Sequence, residues 1–487
     1  MEGDFTRDTF DPYRHYTRVF MQQGRVQLDA DWNEQASINE HYLRTVVADL
    51  VGPHGGPTAS CGFAIITDNT QVPDLRGPYG TPLRPERIAA LQELLDKGDF
   101  VIGTGRYYVD GRLCENDDPV TYTEQRGYPY DDATTLAELR GAGTFLLYLD
   151  VWERHVSYLE EPGLRELALE GPDTATRAQL VWQVKVLRAD ADNAPANLDC
   201  TGVDGLPRLG GAMMRARARQ PETSVDACVV DPQARYRGAE NQLYRVEIHR
   251  GGPAHADGAK SGGATFKWSR ENASVALAVL NRADDVAAGT VTVGVGSLGR
   301  DRRLGLTEGD WVELVDDGTE LRGDSSPLLL THAIDRDELE VTLEGTSAST
   351  AGTDRRLHPL LRRWDHDAAG GDEGALVVAE SADEGDGWID LEDGVQVQFP
   401  GAPVAGEPIV YHAGDYWLVP ARTATGDVEW PRSPDGETVH WEPRPARGVV
   451  HHYAPLALAT IKTNGEVDIT SPDCRCRFAS LPCENNL

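Results

Sequence analysis

Apolar positions along this chain follow two different periods. From Asp29 to Val51 they recur at helical spacing, with Trp32, Gln35 or Ala36, Asn39, Leu43, Val46 or Val47, and Leu50 on one side. Asp29 or Asp31 is placed to cap this helix, and Gly52-Pro53 stops it. The face is mixed: Trp32, Tyr42 and Leu43 sit among Asn33, Asn39 and His41, more polar than a helix buried in a core. That pattern predicts a helix that packs on a sheet or a partner chain, with Trp32, Tyr42 and Leu43 as partner-binding residues. A second helix is predicted from Pro85 to Lys97, with Ile88, Leu91, Leu94 and Leu95 on one face.

From Phe100 onward the pattern changes to short runs broken by Gly, Pro, Asn and Asp. Asp99 to Ile102, Arg106 to Val109, Val120 to Thr123, Thr144 to Trp152 and Gln179 to Leu187 read as strands, and Pro162 to Ala178 as a helix between the last two. Five further runs, SVALAVL, GTVTVGV, DWVELVDD, SPLLLTHAI and ELEVTLE, fall between Ser274 and Leu343 and suit a small inserted barrel. The acidic, Gly-rich stretch after Ala368 reads as a linker around one strand, and Trp388 to Thr470 returns to short strands. The expected fold class is mainly β with a few helices, an α+β multidomain chain with an N-terminal helix, β-sandwich-like units and a small β-barrel. The expected divisions are an arm with helices over 1–98, a β-rich domain over 99–273, the barrel over 274–345, an acidic linker over 346–386, and a β-rich segment over 387–487 that packs with 99–273. There is no repeat of fixed period, which weakens solenoid and propeller readings.

Charge narrows the partners. Against 79 Asp and Glu stand 46 Lys and Arg, a formal charge of −33 over 487 residues. Such a chain gains nothing from releasing counter-ions off phosphates, so nucleic acid and anionic membranes are poor partners. Lysine occurs only at Lys97, Lys185, Lys260, Lys267 and Lys462, every other cation being arginine. Acid excess with few lysines describes a surface kept soluble in concentrated salt, a halophilic signature; a GC-rich genome explains the lysines but not the carboxylates. No run reaches the ~18 apolar residues of a membrane span, so no membrane insertion is expected. The opening MEGDFTRDTFDPYRHY lacks the basic start and apolar run of a secretory signal, so synthesis in the cytosol is expected.

Candidate chemistry is sparse. Gly294, Gly296 and Gly299 have the spacing of a dinucleotide loop, but a turn and a strand follow instead of a helix, which points to coincidence. The carboxylate pairs Asp150/Glu153, Asp310/Glu313 and Asp390/Glu392 have the residue types of a glycosidase acid and base, yet acids are so frequent that surface or ion-pair roles explain them better. His451, His452 and the cysteines Cys474, Cys476 and Cys483 are the groupings with metal-ligand chemistry. C-x-C with a third cysteine fits a zinc knuckle poorly, leaving open a zinc closed by a distant histidine, a disulfide between two of the three, or plain thiols. With seven cysteines, scattered and odd in number, most are expected to be free. No G-x-S-x-G or H-E-x-x-H occurs, and the sequon at Asn272 carries little weight. Trp388, Tyr411, Trp417, Trp430, Trp441 and Tyr453, together with Tyr416, are expected to pack a core more than to form a glycan-stacking surface.

Longer words are more specific. MEGDFTRDTFDPYRHYTRVFMQQGRVQLDADWNEQ, GRYYVDGRLCEN, YLDVWERHVSYLEEPGLRELALEGPDTATRAQLVWQVKV, NQLYRVEIHRGG, ATFKWSREN, GWIDLEDGVQVQF, GDYWLVPARTATGDVEWP and HHYAPLALATI together resemble one family. It is an uncharacterised domain family of bacteria and archaea whose genes lie in clusters for extracellular contractile injection particles, which are phage-tail-like, and which can precede a β-helical segment. The resemblance spans nearly the whole chain. It implies a structural, non-enzymatic component of such a particle, baseplate- or fibre-associated, with a particle-borne glycan-binding adhesin or glycan-cleaving enzyme as the alternative. It supplies no catalytic residues and no cofactor; structural zinc is the alternative there. The partners it implies are other particle proteins, further copies of the chain and a cell-surface glycan, with assembly in the cytoplasm and release in an extracellular particle. Ala273 departs from the glycine expected after KWSREN, which questions a left-handed turn at that point.

Uncompensated negative charges repel one another, and molar salt shortens that repulsion to about 3 Å. The thermal midpoint is therefore expected to rise steadily as KCl goes from 0.1 M (about a 10 Å screening length) to molar concentration. A midpoint that stays level across that range removes the salt-adapted reading.

Overall fold

The computed structural model describes residues 1–125, 143–188, 198–206, 211–220, 235–255, 262–345, 349–367, 373–401, 409–435, 438–461 and 467–479. Mainly β architecture is found, with three bodies nested in the chain order. The first body is opened and closed by distant segments. Its principal sheet runs 467–473, 452–461, 143–156, 177–188, so strands from the end of the chain pair with strands from its first third. Leu149 lies opposite Ala454 on one side and Val184 on the other, all three fully buried. This sheet packs on two smaller ones formed by 54–57, 105–109, 112–116 and 477–478, and by 65–66, 101–102 and 120–121. Phe63, Phe100, Tyr107 and Leu147 fill the space between. The Pro85–Asp96 helix buries Leu91 and Leu95 against the smaller sheet.

Between residues 188 and 452 the chain builds a second body, a two-sheet sandwich. One sheet runs 376–377, 265–269, 242–250, 416–422, 427–428, and the other 389–390, 395–398, 213–218, 444–445. Their inner faces meet through Tyr244, Val246, Phe266 and Trp268 on one side and Met214 and Val397 on the other. The stretch expected to be linker supplies the edge strand Leu376–Val377, which pairs with Thr265 and Phe266.

Between 269 and 376 the chain makes a third body, a closed six-stranded barrel, in the order 276–285, 290–295, 340–344, 329–335, 311–315, 360–364. Five of these strands are the five expected apolar runs. The sixth, Leu360–Trp364, lies in the stretch expected to be linker and closes the barrel by pairing with both Ala276–Asp285 and Trp311–Val315. Its two arginines break the apolar pattern, which hid it. The same feature explains Gly294: it sits in a barrel strand, where an added Cβ would come within 2.5 Å of Asn281, and no helix follows it.

Two other expectations are corrected. Pro162 to Ala178 is not a helix: two single 3₁₀ turns, Pro162–Leu164 and Leu167–Leu169, are followed by the strand Arg177–Arg188. Leu167 and Leu169 are exposed, so no apolar face holds a longer helix in place. The Asp29–Val51 helix forms over the expected residues, but its N-cap is Leu28, whose side chain has no acceptor; Asp29 is already the first helical residue, and its carboxylate accepts from the Thr6 amide at 2.9 Å. At the sandwich–barrel crossing, Asn272 (φ 49°) and Ala273 (φ 55°) form a left-handed turn in which Ser274 N–H donates to Glu271 O at 3.0 Å. The turn persists without glycine because the Ala273 methyl is buried against Trp364 and Leu328, a gain of about 0.8 kcal/mol that offsets a left-handed cost of roughly 1 kcal/mol. Among the described residues no helix is long and apolar enough to cross a membrane.

Candidate functional site

The three bodies meet at a buried ionic junction beside a cavity of about 310 Å³. Two strand pairs build it. In the sandwich, Gln242–Arg250 alternates: Tyr244, Val246 and Ile248 enter the core, so Arg245, Glu247 and His249 project from the opposite face. Glu247 stands directly across from Lys267 of the neighbouring strand. In the barrel, Glu313 stands directly across from Arg362. Lys267 joins the two bodies, its Nζ 3.3 Å from Glu247 Oε1 and 2.6 Å from Glu313 Oε2, over the Trp364 ring at 4.3 Å. Trp364 Nε1 donates to the same Glu313 oxygen at 3.1 Å. Arg245 pairs with Glu247 at 2.5 Å and lies 3.6 Å over the Tyr416 ring.

The opening residues of the chain complete this network. Glu2 bridges bodies, 2.5 Å from Arg362 and 3.9 Å from Arg245. Gly3 exchanges bonds with Asn272: its amide donates to the Asn272 carbonyl at 3.1 Å, and its carbonyl accepts from Nδ2 at 2.9 Å. Asn272 is therefore fully buried and is no glycosylation acceptor. A short capped helix, Asp317–Arg322, brings Glu320 to 3.4 Å from Arg362 at the cavity. Arg154 of the first body reaches Asp317 of that helix at 2.8 Å, which ties the barrel to the first body as well.

Electrostatics decide what this arrangement can do. Burial would raise the Glu247 carboxyl, but Arg245 and Lys267 outweigh it and hold it down at about 2. Glu313 is likewise lowered, against burial, by Lys267 and His249. Both are poor proton donors at neutral pH. Glu320 is pushed up to about 7 by burial, with Glu2 and Glu160 adding and Arg362 opposing. His249 is lowered to about 4 by burial and then by Lys267, and its Nδ1 lacks a hydrogen-bond partner, with Glu313 3.8 Å away. The geometry is that of a lock: cations placed between carboxylates from different bodies.

Of the residues singled out from sequence, Glu313 lies in this junction, as a clamped ion-pair partner, and the others lie elsewhere. Trp32, Leu43 and Tyr42 are on the Asp29–Val51 helix, 80, 65 and 50% exposed, with Leu50 at 81%. Only Ala30 and Ile38 of its 23 residues are buried. Trp32, Ala36, Asn39, Leu43, Val46 and Leu50, spaced alternately four and three apart, are all exposed, so the helix presents an uncovered seam of coiled-coil spacing. Asp150 and Glu153, three apart on one strand, point to opposite faces, and in the other two pairs one member lies off the strand and each carboxylate has its own partner. Asp150 binds Lys185 and His451, each at 2.7 Å, whereas Glu153 pairs with Arg44. Asp310 holds a turn through Thr307, and Asp390 and Glu392 bind Gln396 and Arg270 at 3.0 Å each.

The expected cysteine grouping is also corrected. Cys474 forms a disulfide with Cys200, 274 residues away, instead of pairing with Cys476 or Cys483. Strand 467–473, folding back on 452–461, delivers it there, a contact no local spacing reveals. Cys476 is free and exposed, and Cys483 lies outside the described residues. His452 pairs with Asp110 at 2.8 Å, and among the described residues no three His, Cys, Asp or Glu side chains converge as a metal site. Tyr411 and Trp417 are core residues, while Trp388 and Trp441 hold the Arg217 guanidinium at 3.9 and 5.4 Å. What sequence reasoning missed is the junction itself. Its signals were a rare lysine, Lys267, inside an apolar strand and the charged alternation Arg245, Glu247, His249.

Two-layer and barrel bodies locked by charge, with one largely exposed helix, define a mainly β chain of several bodies. The chain belongs to a Family of unknown function (DUF6519), which it matches over residues 1–206 and 205–487. No curated protein and no solved structure matches it.

The histidines make acid stability testable. Burial lowers His155, His249 and His366 each to about 4, so the unfolded chain takes up these protons below about 6.5 and the folded chain only near 4. The part of the stability that these histidines carry is whole above 6.5 and falls towards 4, while Glu320, raised to about 7, and other carboxyls raised by burial such as Glu392 and Asp415 work the other way. His249 alone carries about 3 kcal/mol of that loss. In urea unfolding, His249→Gln is expected to lose markedly less stability than the unaltered chain between pH 7.5 and pH 4.5. Equal losses contradict the assignment.

Proposed function

We propose that this protein is a non-enzymatic structural component of an extracellular contractile injection particle, associated with its baseplate or fibres. The observation that carries the proposal is the uncovered seam on the Asp29–Val51 helix, on a body otherwise locked by buried ion pairs. A helix of 23 residues that buries two of them is not held for the sake of its own core. It is the attachment element, and the three β bodies behind it are the rigid part of the component. The family words quoted above supply the particle context. The charge of −33 disfavours nucleic acid as the target, and the Cys200–Cys474 disulfide suits a protein that ends outside the cell. Glu247 and Glu313, clamped by cations, favour the structural reading over a glycan-cleaving one, and Glu320, the carboxyl raised to about 7, is itself held by Arg362 at 3.4 Å.

The test uses the seam. Removing residues 1–52 would also take Glu2 out of the junction, so point changes on the exposed face are cleaner. With Leu43→Asp and Leu50→Asp combined, the purified protein is expected to keep its thermal midpoint, and its copy number in particles isolated from producing cells is expected to fall at least about tenfold, the equivalent of about 1.4 kcal/mol of lost attachment. Incorporation at the unaltered ratio overturns the proposal.

A further inference from the structure

Just before the seam helix lies a segment whose composition contradicts the rest of the chain. Residues 12–28, PYRHYTRVFMQQGRVQL, contain Arg14, Arg18 and Arg25 and no acid. This is a net charge of +3 in a chain of −33. The segment is also rich in large apolar side chains, and Tyr13, Tyr16, Phe20, Met21 and Val26 are all exposed, Tyr13 and Val26 by more than 80%. All its residues but Val19 are exposed, and Val19 is held at the helix by its amide, which donates to Gln35 Oε1 at 2.9 Å. Its ends, by contrast, are tied down. Thr6 binds Asp29, Thr9 Oγ1 donates to Glu34 Oε2 at 2.6 Å, and Arg7 pairs with Glu429 at 3.3 Å. A segment fixed at both ends that leaves its apolar side chains in water has no partner within its own chain.

The adjacent helix is its complement. Asp29–Val51 holds five acids against one arginine, Arg44, and carries the uncovered apolar seam. Two such helices packed directly on one another would set acid against acid, whereas the basic, aromatic segment of one copy laid on the acidic, apolar helix of another matches both charge and apolarity. We propose that the protein self-associates by reciprocal exchange, the arm 12–28 of each copy covering the Trp32–Leu50 seam of a second copy. This rests on the helix being an attachment element, as argued above, and names a second copy of the chain as its partner. Two-fold symmetry satisfies both arms at once and closes the assembly.

The experiment uses the full-length chain alone, by sedimentation velocity in KCl at about 0.15 M, where a screening length of about 8 Å damps repulsion between the two acidic bodies and leaves close arm-to-helix charge contacts in force. One variant alters the arm, Arg14→Glu with Arg18→Glu and Arg25→Glu, and the other alters the seam, Leu43→Asp with Leu50→Asp. All five positions are off the core, so thermal midpoints are expected to stay unchanged. The unaltered chain is expected to sediment at twice the 53.1 kDa chain mass as concentration rises, and each variant alone at one chain mass. An equimolar mixture of the two variants is expected to recover a dimer of intermediate strength, because one of its two arm-on-helix contacts is intact. An arm variant that dimerises as well as the unaltered chain overturns arm exchange in favour of direct helix pairing, and a mixture that stays at one chain mass also overturns it. An unaltered chain that never associates overturns the second copy as partner. The particle-incorporation test is independent of that result: a monomeric chain whose seam variant still fails to incorporate refutes the exchange and leaves the attachment role standing.

Discussion

The structure depends on one ammonium group. Lys267 sits between Glu247 of its own sandwich and Glu313 of the barrel, with the Trp364 ring beneath it. Removing a charge from water costs several kcal/mol, and only close, well-bonded partners offset that. The charged members around Lys267 have them: Glu247 also takes Arg245, Glu313 also takes Trp364, and Arg362 takes Glu2 and Glu320, while the neutral His249 keeps one ring nitrogen without a hydrogen bond. The result is specificity of arrangement. An apolar interface between sandwich and barrel would tolerate sliding, whereas cross-strand pairs fixed by register accept one placement.

That constraint suits the chain order. The barrel is inserted in the sandwich and the sandwich in the first body, so each inner body is joined to the next by two crossings. Two crossings alone leave a hinge. The junction removes it by drawing Glu2, the sandwich, the barrel and, through Arg154 and Asp317, the first body onto neighbouring groups. A chain so acidic keeps few cations to spare, and several of its buried ones are spent here: Arg245, Lys267 and Arg362. Buried pairs are screened far less than surface charges, so salt that relieves the surface leaves the lock in place.

How much of this was legible follows from the same physics. Five barrel strands and the long helix show in the sequence because apolar residues recur at periods of two and of 3.6. The sixth strand does not, since Arg362 and Arg363 read as surface until their partners are known. Pro162 to Ala178 misled because a run without strand alternation was read as helix, whereas Leu167 and Leu169 stay exposed and leave no apolar face to hold one. The exposure of Trp32, Tyr42 and Leu43 was foreseeable from the polar residues between them. The junction was not, because Glu247 and Glu313 meet only through the fold, and in an acid-rich chain no spacing distinguishes two buried glutamates from the many at the surface.

The role proposed above, in a particle, needs a rigid body with an exposed attachment face: attachment energy is transmitted only if the parts behind the attachment do not yield. Rigidity is therefore the claim on which the functional reading leans, and Lys267→Met tests it most directly. The substitution keeps the stem's volume and leaves two buried carboxylates facing each other without their shared cation, a loss of about 3 to 5 kcal/mol. Followed by calorimetry at neutral pH, the unaltered chain is expected to unfold with sandwich and barrel in one transition, and Lys267→Met to split it, the barrel melting apart from the sandwich. A single transition at an unchanged midpoint in Lys267→Met would contradict the account.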